Sequence, residues 1–110
     1  MKQVPRMSRQ ATEAARLLGM MVRQERRQKR WTIAELGERA GVSVPTVRKV
    51  EAGDPTVALG TAFEIATLVG VALFTPDRAE LSALLSSTQD RLALLPTRVR
   101  PPASQVHDDF

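Results

Sequence analysis

Two helix-starting signals stand eleven residues apart near the middle of the chain, and their spacing constrains the fold more than any other feature. Thr32, with Glu35 three residues later, has the composition of a capping box, in which hydroxyl and carboxylate satisfy two orphan backbone N–H groups reciprocally. The short helix this predicts, Ile33 to Ala40, meets Gly41, the residue type that most readily takes the left-handed conformation closing a helix. Ser43 caps a second helix running to about Ala52, with Pro45 in the first turn, where a missing N–H has no helical partner to lose. Gly53-Asp54-Pro55 stops it. Leu36, Val42, Val47 and Val50 then fall into one small core between the two helices, and Gly37 lets the second approach the first closely. Val44, Pro45, Thr46, Arg48 and Lys49 remain on the outer face.

The flanking segments read as further helices. Residues 1–7, with Pro5, form a flexible arm. Ser8 caps a helix to about Arg30 whose apolar face is Ala14, Leu17, Leu18, Met21 and Val22. Beyond the connection Thr56–Ala58, a fourth helix spans about Leu59 to Val69, with Leu59, Ala62, Phe63, Ala66 and Val69 inward and Gly70 ending it. Val71 to Phe74 is a short β-compatible stretch. Thr75-Pro76-Asp77 reads as N-cap, N1 and N2 of a last helix ending near Leu95, with Leu81, Leu84, Leu85, Thr88, Leu92 and Leu95 along one stripe. The organisation expected is an arm at 1–7, a helical domain at 8–75, a C-terminal helix at 76–95 and a flexible tail at 96–110.

Composition narrows the chemistry. The absence of cysteine excludes disulfides, thiol nucleophiles and cysteine-ligated metals. The single histidine, His107, leaves no basis for histidine catalysis or a histidine metal site. No nucleophile–base pair, phosphate-cradling glycine loop or ligand cluster is present, so no enzyme, cofactor or metal is expected. The longest apolar run, Leu68 to Phe74, is too short to span a bilayer, and the N-terminus lacks the apolar region of a signal peptide. A cytoplasmic location and no membrane partner are the expectation. The net charge of +4 divides unevenly: residues 1–49 carry 12 basic and 4 acidic side chains, and residues 50–110 carry 4 basic and 8 acidic. Thirteen of the sixteen basic residues are arginine, the side chain suited to bidentate contact with phosphate and guanine. A basic half of this kind suggests a polyanion partner; a solvated basic face is the plainer alternative.

The segment WTIAELGERAGVSVPTVRKVEAG, Trp31 to Gly53, has the pattern of a helix-turn-helix, whose second helix presents its outer face to the DNA major groove. Here the chain resembles the Cro/CI-type (XRE) helix-turn-helix family over roughly Leu18 to Phe74. Within it, MVRQERRQKRWT before the motif and TVALGTAFEIATLVGVALF after it look most like HipB-type antitoxins. The resemblance implies an all-α, lambda-repressor-like fold of five helices, with room for one short C-terminal β-strand pairing across a dimer. It implies a dimeric repressor of its own operon that binds a palindromic double-stranded operator, is associated with the nucleoid, and partners a HipA-like serine/threonine kinase toxin. A stand-alone or phage-type repressor is the alternative within the family, and a protein-binding adaptor without DNA activity is the alternative outside it. Carried over, Ser43 touches phosphate, Thr46 and Lys49 face base edges, and Arg48 lies toward the backbone or a neighbouring base, with Thr32, Arg27 and Arg30 as further DNA contacts. Two departures matter: Ile33 and Val44 stand where the family often has glutamine. Val44 and Pro45 remain able to meet a thymine methyl.

Several features admit a plainer reading. The basic run Arg23 to Arg30 is either a set of phosphate contacts or a solvated helix end favoured by the macrodipole. Trp31 reads as a core or helix-junction residue rather than a base-stacking platform. Leu81, Leu84, Leu85 and Leu92 pack on the chain's own core or join Val71, Leu73 and Phe74 in a dimer interface. Asp108, Asp109 and Phe110 form either a partner-docking peptide or a solubilising end.

Overall fold

The computed structural model describes residues 6–99 and 101. Among the described residues are five helices and no strand: α1 (Arg9–Gln28), α2 (Ile33–Ala40), α3 (Val44–Glu51), α4 (Leu59–Val69) and α5 (Arg78–Ala93). The all-α, lambda-repressor-like expectation holds. The chain divides into two compact units, Met1–Pro76 with α1 to α4 and Asp77–Phe110 with α5.

In the first unit, one core collects Val22 from α1, Leu36 from α2, Val47 and Val50 from α3, and Ile65, Ala66 and Val69 from α4, with Val71 just beyond. Leu18, Trp31, Val42 and Ala62 are partly buried against it. The stripe that α1 buries differs from the one expected: Gly19, Val22 and Arg26 are buried, whereas Ala14, Leu17 and Met21 are exposed. The close approach of α1 to α3 accounts for this. A Cβ on Gly19 would run into the Val50 carbonyl oxygen and stand 2.6 Å from that of Glu51. The glycine marks where the two backbones nearly touch, and the buried face is centred there. In α4, Ile65 takes the core position and Leu59 is left exposed.

The first four helices end by one device. The N–H of the residue after the turning residue reaches back to a carbonyl five residues earlier: Trp31 to Arg26 at 3.1 Å, Val42 to Gly37 at 2.9 Å, Asp54 to Lys49 at 2.9 Å and Val71 to Ala66 at 2.9 Å. The residue that turns the chain has a left-handed φ in each case, and glycine fills three of these positions, Gly41, Gly53 and Gly70. At α1 the same position is Arg30, with φ 60°. With no glycine to mark it, the end of α1 falls at Gln28 rather than near Arg30 as the sequence suggests.

Val71 to Phe74 forms no strand within the chain. A single bridge joins Leu73 to Thr75 around Phe74, which has φ 71°, so the backbone doubles back instead of extending. Val71 is buried in the chain's own core, and the expectation of a subunit seam passes to Leu73 and Phe74. Phe74 is exposed and meets Phe63 edge to face, centroids 6.4 Å apart. The cap of α5 is Asp77, whose carboxylate accepts the Ala79 N–H at 2.9 Å, not Thr75 as expected. No residue of α5 is buried; Leu81, Leu84, Leu85 and Leu92 are all exposed. No helix among the described residues is long and apolar enough to cross a membrane.

Candidate nucleic-acid interface

The helix pair at the centre of the motif is held by its caps. The Thr32 hydroxyl accepts the Glu35 N–H at 3.0 Å, and the Glu35 carboxylate accepts the Thr32 N–H at 2.8 Å, closing the capping box. The hydrogen bond from that backbone N–H, then the one involving the Thr32 side chain, holds the Glu35 carboxyl below the usual glutamate range. Gly41, with φ 71°, turns the chain. A Cβ on Gly37 would stand 2.8 Å from the Val42 carbonyl oxygen, so this glycine is needed for the turn to fold back onto α2. Ser43 then caps α3, its hydroxyl accepting the Thr46 N–H at 3.3 Å and lying 2.9 Å from the Thr46 hydroxyl.

α3 is fastened from behind. Val47, Val50 and Glu51 are buried, so the side turned outward is the line Pro45, Arg48, Lys49 and Ala52. Of the five residues expected on the outer face, Pro45, Arg48 and Lys49 are exposed, while Val44 and Thr46 are half-buried. The reason is the helical repeat: about 100° per residue places positions 44 and 46 on the flanks of a face centred between 45 and 49. Thr46 and Lys49 share a cleft of about 290 Å³ with Thr56, Val57, Ala58 and Thr61. The Asp54 carboxylate shapes its far wall by accepting both the Thr56 N–H, at 2.8 Å, and the Thr56 hydroxyl, at 2.6 Å. Thr56 and Thr61 escape a sequence reading that takes Gly53-Asp54-Pro55 only as a stop and Thr56–Ala58 only as a connection; the Asp-x-Thr spacing is the signal that was available.

The basic run at the end of α1 divides. Arg26 is buried and grips Glu51 with two nitrogens, Nε to Oε2 at 2.6 Å and Nη2 to Oε1 at 3.1 Å, while Nη1 donates to the Trp31 carbonyl at 2.9 Å. The hydrogen bond to Glu51 raises the Arg26 pKa against the opposing effect of burial. Arg23 adds a weaker contact to Glu51 at 3.3 Å. Arg26 is therefore a clamp between α1 and α3, not a phosphate contact. Arg27, Lys29 and Arg30 remain exposed, and Thr32 is exposed at the start of α2. Trp31 is a junction residue: half-buried, with the Arg39 guanidinium 4.2 Å and the Lys29 ammonium 6.0 Å from its ring centre. Asp108, Asp109 and Phe110 lie outside the described residues. Among the described residues no group of acidic or histidine side chains is placed to hold a metal ion.

Comparison with curated proteins and with solved structures gives no match. Comparison with protein families gives one: residues 22–74 match the family model described as helix-turn-helix. The matched span starts at the core residue Val22 in α1, ends at Phe74 beyond α4, and contains both caps, the Gly41 turn and the outward line of α3. The match supports the Cro/CI-type resemblance and makes residues 22–74 a helix-turn-helix segment of the kind found in DNA-binding transcription regulators.

Proposed function

We propose that the protein is a sequence-specific DNA-binding repressor that acts as a dimer on a palindromic operator. One observation carries the reading: α3 is capped at its N-terminus and clamped from behind by Arg26–Glu51, and it turns outward a line that includes two exposed cations, Arg48 and Lys49. A helix fixed at this depth and cationic on its free side has the form of a major-groove reader. Ser43, at the helix N-terminus, and Thr32, Arg27 and Arg30, near the α1–α2 turn, supply phosphate contacts in this reading. The exposed leucines of α5 and the exposed Phe74 supply the dimer contact.

Gel shifts with DNA from the protein's own promoter test it. The parent is expected to give a discrete complex. Arg48→Ala with Lys49→Ala is expected to abolish that complex at unchanged helicity, because both side chains are exposed. Equal binding by parent and double variant would refute the assignment of the outer face, and no binding by either would favour the adaptor reading. The further role as antitoxin of a HipA-like kinase is supported by sequence resemblance, and co-purification with such a kinase encoded beside the gene tests it.

A further inference from the structure

The outward line of α3 is chemically split, and the surface of its first turn is mainly hydrocarbon. Pro45, exposed near the centre of the face, has a hydrocarbon ring and no N–H. Val44, on one flank, is apolar and half-exposed. Thr46, on the other flank, has its N–H bonded to Ser43 Oγ at 3.3 Å and its hydroxyl turned to the same oxygen at 2.9 Å. Its methyl group is the part free of a polar contact. Charge appears only one turn later, at Arg48 and Lys49.

In the major groove, base edges are read through donors and acceptors with one exception, the thymine C5-methyl, which is the apolar mark of an A·T pair. We infer that the first turn of α3 reads thymine methyl groups, with Val44, Pro45 and the Thr46 methyl as the contact surface, while Arg48 and Lys49 supply the polar contacts of the same half-site. The inference rests on the DNA-binding reading and deepens it: specificity at these positions comes from a methyl group, not from a hydrogen-bonded base edge.

The experiment replaces thymine by uracil, which removes only that methyl. A binding duplex is selected from a random pool with the full chain. Affinity is then measured for the selected duplex and for versions carrying deoxyuridine in place of thymidine at one position at a time. At one or two positions per half-site, binding is expected to weaken about fourfold, the effect of one buried methyl-sized contact. Pro45→Ala, at unchanged helicity, is expected to lower affinity for the thymine duplex and to shrink the thymine-over-uracil preference. Thr46→Val, which keeps a methyl, is expected to retain that preference where Thr46→Ser loses part of it. Equal affinity for thymine and uracil at every position would overturn the inference while leaving sequence-specific binding intact. Failure to select any preferred sequence would overturn the DNA-binding reading itself, and the inference with it.

Discussion

Arginines close together in sequence have three different tasks at the end of α1. Arg26 is buried in a bidentate pair with Glu51, whereas Arg27 is exposed and Arg30 turns the chain at a φ of 60°. Removing one partner of a buried pair leaves the other charged in a poor solvent, which costs about 3–5 kcal/mol. Arg26→Ala is therefore expected to lower the unfolding free energy by about that amount, read by urea denaturation. Arg27→Ala is expected to stay within about 0.5 kcal/mol of the parent. Arg30→Gly is expected to be neutral or to stabilise by up to about 1 kcal/mol, because glycine accepts the left-handed backbone that costs an arginine about 1–2 kcal/mol. An Arg26→Ala protein as stable as the parent would show that the pair does not clamp α1 to α3. These three roles were not legible in the run itself. The partner of Arg26 lies 25 residues away at Glu51, and local pattern sees only a cluster of like charges.

At the scale of the helices, what the sequence disclosed followed from local chemistry. The bounds of α2, the end of α4 at Gly70, and the caps at Ser8, Thr32 and Ser43 were legible because side-chain oxygens and glycines announce them within three or four residues, while the start of α4, capped by no side chain, was legible from the apolar spacing that begins at Leu59. The outward positions of Pro45, Arg48 and Lys49 were legible by subtraction, once Leu36, Val47 and Val50 had been assigned to the core. The face that α1 buries was not, because it depends on how near α3 comes, and that is a property of two helices. Gly19 was the overlooked clue. Gly19→Ala is expected to destabilise by about 1–3 kcal/mol, since the new methyl meets the carbonyls of Val50 and Glu51 and backbone cannot step aside as a side chain can. Gly60, in α4, is the control: a Cβ there meets nothing within 4 Å, and Gly60→Ala is expected to stabilise by about 0.5–1 kcal/mol. Thermal unfolding of the two variants, one falling and one rising, checks the assignment; a loss of stability in both would mean that open space around Gly60 is not what governs its substitution.

For the molecule as a whole, the uneven charge is the quantity that matters. Residues 1–49 carry 12 basic and 4 acidic groups, and they include the α3 face and the α1–α2 turn. Binding that neutralises DNA phosphates releases counterions, so the affinity should fall with salt by a slope of about 0.9 per phosphate contacted. Titrations of the parent at several salt concentrations are expected to give a steep linear dependence. If Arg48 and Lys49 each neutralise a phosphate, single alanine variants lower the slope by about 1 apiece; if one of them reads a base, its variant keeps the slope and loses sequence preference. A slope near zero for the parent would rule out the basic half as an electrostatic footprint. The chain also carries its own reporter of these events. Trp31 is its sole indole, set at the joint between α1 and α2 with a guanidinium over the ring and its own carbonyl held by Arg26. Its fluorescence is thus an intrinsic dye for that joint: a shift in emission on titration with DNA, with no label attached, would register whether the joint moves as duplex is engaged.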